Sequence, residues 1–337
     1  MHNIHKNLLA VEPNWQKELA KSFTDPEALL RFLALPVEHY SQHVKARRLF
    51  PMRVPVFFAE LMAKNTPDDP LLRQVLPLHD EFLEVEGYVT DPLDEFDKSQ
   101  SGIVHKYHNR LLLIVKGGCA VNCRYCFRRH FPYAEHHNNK REWQPQFAYI
   151  QAHPELDEVI LSGGDPLMAN DAHIAWLLDE LEQIPHLKRV RIHTRLPVVL
   201  PTRVTRTLSQ RLQTSRLQAI VVLHINHARE ISPELIQAVA LLKQHHVTVL
   251  NQAVLLKGVN DCVSTQITLN ESLFTAGIQP YYLHMFDRVK GAQHFAVDDD
   301  TAINIMREVI AQQSGYMVPK LVREIGGEPS KTPINLA

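Results

Sequence analysis

The sequence has few cysteines, no long apolar run and almost no net charge, and each shortage excludes a class of protein. Four cysteines among 337 residues are too few for a disulfide framework, and because no signal-peptide pattern is recognisable we expect the reducing cytoplasm. No apolar run approaches the roughly 20 residues that span a bilayer, so we expect no membrane association. A formal net charge of -1 gives no electrostatic reason to expect nucleic acid or an anionic membrane as a ligand.

What remains is the composition of an ordinary enzyme. Hydrophobic residues make up 45% of the chain and charged residues 22%. A chain of 337 residues can bury a large core, either as one barrel with extensions or as two domains. The 20 histidines are mostly scattered through polar stretches, where we interpret them as solvated.

The densest chemical motif is a loop with three cysteines in the spacing C-x3-C-x2-C, namely Cys119, Cys123 and Cys126. The loop follows an apolar run at residues 111–115 and a Gly-Gly turn, so it can bring three thiolates to one small metal centre. A 4Fe–4S cluster is normally tied by four cysteines, and three ligands leave one iron open for chemistry.

Other interpretations of this loop compete with the cluster. A structural zinc site would need a fourth ligand, for which His130 is near in sequence. Buried cysteines without a metal are individually common, but three in one short loop after a strand are not. The spacing and the open iron resemble those of the radical S-adenosylmethionine (SAM) superfamily. In that superfamily the open iron binds the amino and carboxylate groups of SAM.

The chain divides into three parts by pattern. Residues 1–100 contain helix-period stretches at 15–22, 26–33 and 55–64, which predict a helical N-terminal extension. Residues 101–315 alternate β-rich runs with helical stretches, which predicts parallel strands joined by right-handed crossovers. Residues 316–337 form a C-terminal segment. The predicted strands are 111–115, 158–162, 189–193, 219–224, 247–251 and 278–283, and the helices between them include 171–183, 233–244 and 264–276.

Six such units predict an α/β fold with a partial (β/α)6 barrel rather than the closed eightfold form. Polar residues follow every predicted strand, and the carboxyl ends of the strands in such a barrel open onto one face. We therefore expect a single site there. After the second strand come Gly163, Gly164 and Asp165. The glycines let a ligand approach the backbone closely, and in radical SAM enzymes a similar motif contacts the amino group of SAM, a role that Asp165 fits.

Several longer motifs resemble the lysine 2,3-aminomutase family of radical SAM enzymes. They are PMR at 51–53, DPLLRQVLP at 69–77, SGGDPL at 162–167, RLPVVLP at 195–201, NQAVLLKGVND at 251–261, SGY at 314–316 and GGEPSKTP at 326–333. The similarity runs from about residue 15 to about residue 335.

That resemblance implies pyridoxal 5'-phosphate (PLP) as a cofactor beside the 4Fe–4S cluster and SAM. Carried over position by position, Lys331 would bind PLP covalently through its amine. The further PLP- and cofactor-contacting positions are matched by Tyr107, Arg110, Asn251 and Gln252. The planar guanidinium of Arg110 suits a phosphate.

The resemblance also implies the substrate contacts. Arg128 matches the arginine that binds the substrate carboxylate, although its neighbour Arg129 is easily confused with it. Asp287 and Glu324 match two carboxylates that bind the distant ε-ammonium. The family usually has aspartate at the second position. The longer glutamate could shift the ammonium site or alter the stereochemistry, which bears on the substrate more than on the reaction class.

Cys262 matches a zinc-binding cysteine of longer family members, whose other zinc ligands lie beyond the PLP lysine. No such cluster follows Lys331 here, so we expect no structural zinc.

Shortened members of the family resemble this chain and supply β-lysine, in its R form, for the modification of elongation factor P. The resemblance thus implies conversion of α-lysine to β-lysine, an electron donor such as a flavodoxin or ferredoxin, and an indirect link to elongation factor P and its lysyl ligase. It allows for a homo-oligomer. Two alternatives stay open, an aminomutase for another amino acid and a non-catalytic iron-sulfur module. Like charges at Asp287 and Glu324 argue against an acidic substrate side chain.

Overall fold

The computed structural model describes residues 14–96, 99–100, 102–133 and 143–337. Within these ranges the chain forms one open sheet whose strands lie side by side in chain order. The strands are β1 (Ser99–Gln100), β2 (Ile103–Tyr107), β3 (Arg110–Lys116), β4 (Glu158–Gly163), β5 (Arg189–Thr194), β6 (Gln218–His224), β7 (Thr248–Val254), β8 (Gln279–His284), β9 (Lys320–Arg323) and β10 (Thr332–Pro333).

Neighbouring strands from β3 to β9 are parallel, whereas β1, β2 and β10 pair antiparallel at the two edges. All six predicted strands are present, as β3 to β8, with their ends shifted by a few residues. This confirms the α/β fold with a partial, open barrel. The parallel part extends one strand further than predicted, because β9 is too short to show a clear pattern.

Helices cover the parallel strands and form the N-terminal part of the chain. They are α1 (Trp15–Leu19), α2 (Pro26–Phe32), α3 (Val56–Glu60), α4 (Pro70–Arg73), α5 (Gln144–Gln151), α6 (Asp171–Glu182), α7 (Leu196–Val199), α8 (Arg206–Thr214), α9 (Pro233–Gln244), α10 (Val263–Thr275) and α11 (Asp299–Gln312). The predicted barrel helices are confirmed as α6, α9 and α10. Side-chain caps start two of them, since Asn170 accepts from the backbone of His173 and Ser232 from that of Leu235. No helix among the described residues has the length and apolar character needed to cross a bilayer.

The N-terminal helices are shorter than the sequence predicts and pack directly on the barrel. Asp25 caps α2 with Pro26 in its first turn, as the sequence predicts. Leu29 of α2 and Phe58 of α3 are fully buried in the same hydrophobic cluster as Leu161 of β4 and Val198 of α7. The extension therefore shares one core with the barrel.

The end of the described chain forms a small hairpin, β9 and β10. Arg323 pairs with Thr332 across this hairpin and Val322 pairs with Pro333. The next antiparallel pair in that register is Glu324 and Lys331. Local hairpin geometry therefore brings together two residues that the sequence assigns to the substrate and to PLP.

Candidate active site

The carboxyl ends of the parallel strands open onto a cavity of about 360 Å³. Almost all of the sequence-predicted site residues line it. They are Tyr107, Arg110, Cys119, Cys123, Cys126, Arg128, Gly163, Gly164, Asp165, Gln252, Asp287, Glu324 and Lys331. The N-terminal extension also contributes to this wall, through Phe50 and Glu95.

The cysteine loop is fixed in place by the N-terminal extension. The backbone N–H of Arg124 donates to Gln74 O at 2.8 Å, and that of Asn122 donates to Arg53 O at 3.1 Å. The Arg53 guanidinium returns a hydrogen bond to Cys119 O at 3.1 Å. Two motifs of the extension, PMR and DPLLRQVLP, therefore act by holding this loop.

The three cysteines of the loop suit a cluster. Burial raises the pKa of the Cys119 thiol well above its usual value and that of Cys126 to about 11, and the neighbouring cysteines act in the same direction. Thiolates here need a compensating cation, which iron supplies. Within the described ranges no three His, Cys, Asp or Glu side chains converge on one metal ion, whereas a cubane is held by thiolates spread around its volume. His130 does not line the cavity, and its Nε2 lies 3.1 Å from Lys290 O.

Gly163 at the end of β4 and Gly164 after it allow close packing against the end of β3 and the Gly-Gly turn that leads into the cysteine loop. A Cβ on Gly163, whose φ is +116°, would lie 2.5 Å from Lys116 O, and a Cβ on Gly164 would lie 2.6 Å from Gly118 O. The sequence predicts these glycines for close approach of a ligand. The structure adds a packing reason, because any side chain there would push the loop away from β4.

The carboxylate of Asp165 is used within the protein. It accepts hydrogen bonds from Thr194 Oγ1 at 2.8 Å and from the backbone N–H groups of Leu167, Arg195 and Leu196 at 2.9 to 3.0 Å. Burial nevertheless raises its pKa above the usual value, against the effect of these hydrogen bonds. Asp165 thus ties the end of β4 to the end of β5, and its predicted contact with SAM stays a prediction.

Arg128 and Arg129 have different partners. Arg128 forms a two-pronged ion pair with the buried Glu95, with Nε–Oε2 and Nη2–Oε1 distances of 2.6 and 3.0 Å, and its Nη1 lies 3.2 Å from Ser162 Oγ. Arg129 Nη2 pairs with the buried Glu81 at 2.6 Å, and its Nη1 donates to Gly291 O at 2.6 Å. Both arginines line the cavity and are held by a carboxylate, but the side chain of Arg128 is 10% exposed and that of Arg129 only 1%, which makes Arg128 the better candidate for a ligand contact.

Glu324 is the centre of a cationic cluster. Its Oε2 accepts from Lys331 Nζ at 2.5 Å, and its Oε1 accepts from Lys106 Nζ and from the hydroxyl of Tyr107, each at 3.0 Å. Burial raises the pKa of Glu324, but the charges of Lys331 and Lys106 outweigh that effect and bring the pKa well below its usual value. Glu324 is therefore ionised throughout the physiological range.

Glu95 and Lys106 connect the two ends of the cavity. Lys106 Nζ lies 2.8 Å from Glu95 Oε1 and 3.0 Å from Glu324 Oε1. Together with the Arg128–Glu95 and Glu324–Lys331 pairs, it completes an alternating row of five charges. None of these side chains is more than 16% exposed. Each charge therefore fixes its neighbour with little competition from water.

Asp287 is the carboxylate of the site that lacks a partner. Within the described residues its side chain makes neither a hydrogen bond nor an ion pair. Burial raises its pKa to about 7, and the negative charge of Glu324 acts in the same direction, against Lys331 and Lys106. A cationic ligand beside Asp287 would offset the cost of burying its negative charge.

Comparison with known proteins decides the family. A model of the radical SAM superfamily matches residues 113–263. Proteins named L-lysine 2,3-aminomutase from Escherichia coli K12 and Haemophilus influenzae Rd are 56% and 52% identical to this chain over 96% and 95% of it, and over 95% of their own lengths. A protein of the same name from Clostridium subterminale is 32% identical over 95% of this chain and 77% of its own length. The chain belongs to the lysine 2,3-aminomutase family. It is a radical SAM enzyme of the isomerase class.

The remaining positions carried over from the lysine 2,3-aminomutase family separate into two groups. The guanidinium of Arg110 stacks 4.2 Å from the ring centre of Tyr107, and both residues line the cavity together with Gln252. Asn251 is not among the lining residues, and its amide bridges both backbone groups of Ile225 at 2.9 and 3.0 Å. The side chain of Asn251 therefore links β7 to the end of β6.

Sequence reasoning missed Glu95 and Lys106, which complete the charge row of this aminomutase-family site. Glu95 lies in a stretch that the sequence assigns to the extension, and Lys106 lies on β2, a strand that the sequence does not predict. The only local signal is that a lysine and a tyrosine follow apolar residues at 103–107 just before the first predicted strand.

A pH dependence follows from Asp287. With a pKa of about 7, its carboxyl is neutral below that pH and loses its attraction for an ammonium group. We expect the KM for lysine to rise as the pH falls from 8 to 6, approaching tenfold per unit below pH 7. In Asp287→Asn the KM should be high and nearly independent of pH over the same range. Identical profiles for the two proteins would contradict the assignment.

Proposed function

We propose that this enzyme converts L-α-lysine into β-lysine with a 4Fe–4S cluster, SAM and PLP. The observation that carries the proposal is the composition of one cavity. Its wall includes the three cysteines of one loop, Lys331 of the C-terminal hairpin, Arg128, and the carboxylates of Asp287 and Glu324. The family membership and the names of the E. coli and H. influenzae relatives support the same reaction.

When bound, the cluster with SAM supplies the radical that removes a hydrogen from the substrate, and PLP supplies the conjugated system through which the amino group can migrate. Cys119, Cys123 and Cys126 would hold the cluster, and the absence of a fourth cysteine in the loop leaves one iron for SAM. The protein's task is to fix distance and orientation in this enclosed space.

The residues around Lys331 fit PLP. Lys331 Nζ reaches into the cavity from the hairpin, and Arg110 and Tyr107 lie on the same wall. Arg110 has a guanidinium that can donate paired hydrogen bonds to a phosphate. Burial and the neighbouring Glu324 raise the pKa of Tyr107 above its usual value, so its hydroxyl remains a hydrogen-bond donor.

The ion pair between Lys331 and Glu324 supports the proposal that Glu324 binds the substrate ammonium. The Lys331 ammonium lies 2.5 Å from Glu324 Oε2, and lysine as a substrate carries the same group at the end of its side chain. A Lys331 nitrogen that is bonded to PLP is no longer an ammonium group with three donors, so Oε2 of Glu324 would become available to the substrate while Oε1 keeps Lys106 and Tyr107. Asp287, which has no partner among the described residues, would bind the same ammonium.

The other end of the substrate would bind Arg128. Glu95 holds the guanidinium of Arg128 through two hydrogen bonds, and the planar pairing sets its orientation. Lys106 fixes Glu95 relative to Glu324. The row of charges thus fixes the guanidinium of Arg128 relative to the carboxylate of Glu324, and these two groups would bind the carboxylate and the side-chain ammonium of one amino acid.

Replacing Arg128 separates its role from that of Arg129. Arg128→Lys keeps a positive charge next to Glu95 but loses the paired donors of the planar guanidinium. We therefore expect the KM for the substrate lysine to rise roughly 10- to 100-fold, as for loss of a charged hydrogen bond. Iron content should stay unchanged. The matched control Arg129→Lys disturbs the buried pair with Glu81, so it should lower the melting temperature and leave the KM unchanged. A raised KM in Arg129→Lys with an unchanged KM in Arg128→Lys would assign the substrate carboxylate to Arg129 instead.

We also propose that the product is the R form and serves the modification of elongation factor P. Resemblance to shortened family members that supply β-lysine for this purpose supports the proposal. A flavodoxin or ferredoxin in the cytoplasm would then be the electron donor. The test is to offer the purified product to the lysyl ligase together with elongation factor P, and to look for the added mass on the factor.

The reaction itself is tested by anaerobic incubation of the reconstituted protein with SAM, PLP, a reductant and uniformly labelled lysine. The expected result is labelled β-lysine in the amino acid fraction, identified by chromatography and mass spectrometry. Intact lysine accompanied by turnover of a different amino acid would overturn the proposal.

A further inference from the structure

Arg195 lies next to the cysteine loop and is not among the residues that the sequence assigns to any ligand. It follows β5 directly and is 6% exposed. Its Nη1 donates a hydrogen bond to Cys123 Sγ over 2.8 Å. Cys126, by contrast, takes a hydrogen bond from the backbone of Arg128. A buried, charged side chain thus contacts one of the three sulfurs expected to bind iron.

A closed polar network holds this guanidinium. Arg195 Nη2 donates to Gln74 Oε1 at 2.7 Å and to Glu230 Oε2 at 2.9 Å, and Nη1 also donates to the hydroxyl of Tyr125. Asn226 donates to both Gln74 and Tyr125, at 3.0 and 2.7 Å. The donor to the sulfur is therefore fixed from several sides.

The network carries one buried ion pair, Arg195 with Glu230. Glu230 has further donors, the backbone N–H groups of Asn226 and His227, each 3.0 Å from its Oε1. Its carboxylate balances the charge of Arg195 within the protein core. Arg195 therefore donates its hydrogen bond to Cys123 Sγ as a member of an ion pair that carries no net charge.

We propose that Arg195 is a positioning residue that sets the reduction potential of the cluster through Cys123. This rests on the proposed function, in which the three cysteines hold a 4Fe–4S cluster. A hydrogen bond to a ligand sulfur withdraws electron density from it and stabilises the reduced cluster, which raises the potential. Gln74 brings the N-terminal extension into this control, since it holds Arg195 and, through its carbonyl, the backbone of Arg124.

The test compares two variants that leave no carboxylate buried without a partner. Glu230→Gln keeps the arginine and removes the balancing charge, and the double variant Arg195→Met with Glu230→Gln removes the donor as well. The matched control is Arg203→Met with Asp171→Asn, which removes another buried pair, with a 2.7 Å separation, that contacts no cysteine. All proteins are reconstituted anaerobically. The ratio of reduced to oxidised cluster is then measured by electron paramagnetic resonance at one fixed solution redox potential.

We expect the double variant to show a ratio at least tenfold lower than that of Glu230→Gln, about 59 mV for one electron. In Glu230→Gln alone the ratio of reduced to oxidised cluster should equal or exceed that of the unmodified protein. The ratio in the control variant should equal that of the unmodified protein. Equal ratios in the double variant and Glu230→Gln, with full iron content in both, would overturn the proposal for Arg195. Failure of the unmodified protein to bind about four irons would instead refute the cluster assignment. Should the double variant not take up iron, the comparison is repeated with Arg195→Lys, which keeps the charge and loses the fork, and the same tenfold criterion decides.

Discussion

Replacing Lys331 with methionine should abolish β-lysine formation, by at least roughly 10³-fold, because PLP needs a lysine amine in the cavity. The other lysine of the hairpin, Lys320, is exposed and does not line the cavity. Methionine keeps most of the side-chain volume, so the fold should be retained. Glu324 would lose its 2.5 Å partner but keep Lys106 and Tyr107. The variant should therefore bind its cluster normally and fail only at the step that needs PLP.

The matched control for this variant is Lys106, a second lysine in the same cavity. Borohydride reduction of the protein with PLP, followed by peptide mapping, should place the adduct on Lys331. Lys106→Arg keeps a cation between Glu95 and Glu324 and should give the same adduct. An adduct on Lys106, or retained activity in Lys331→Met, would refute the assignment.

Replacing Cys126 with serine should remove the cluster, and with it both SAM cleavage and turnover. Serine is nearly isosteric, so the backbone hydrogen bond from Cys126 N to Cys123 O can persist while the sulfur ligand is lost. We expect iron content to fall to a small fraction of the unmodified value. The activity should fall below detection, because no electron can reach SAM without the cluster.

Cys262→Ser is the matched control for the cysteine experiment. Cys262 is exposed and lies at the start of α10, with Ser264 and Thr265 as its nearest polar contacts. The variant should keep its iron, its electron paramagnetic resonance signal and its turnover. Loss of iron from Cys262→Ser, or retention of a full cluster in Cys126→Ser, would show that the ligand set is different.

The fold was predictable where its signals are local. Each of the six central strands is a β-rich run of five or six residues followed by polar residues, and the pattern of strand, polar end and helix repeats. The strands that flank the six central ones were not predictable, since β2 is buried only at one end and β9 has four residues. Their places in the sheet are fixed by pairing with strands that are distant in sequence.

The site was predictable where a residue's role depends on a motif, as for the cysteine loop. Roles that depend on tertiary partners were not. Arg128 and Arg129 are adjacent in sequence, yet one pairs with Glu95 and the other with Glu81, and neither partner is marked by a motif. The packing of Gly164 against Gly118 is likewise visible only once the chain is folded.

The charge row places an ionised carboxylate at Glu324, where the resemblance to the family leads us to expect aspartate. The carboxylate of Glu324 accepts from Lys331, Lys106 and Tyr107 together. The hairpin register sets Glu324 opposite Lys331. The departure therefore changes the length of the contact and leaves an ionised acceptor in place.

In the proposed enzyme the radical source and the lysine site share one cavity. The most direct test is anaerobic turnover with lysine that carries deuterium at its β-carbon, followed by mass spectrometry of the recovered SAM and β-lysine. If the cavity works as proposed, deuterium from lysine appears in the adenosyl part of SAM, and β-lysine forms. Formation of β-lysine without any transfer of deuterium to SAM, or no β-lysine in protein that holds its full cluster, would contradict it.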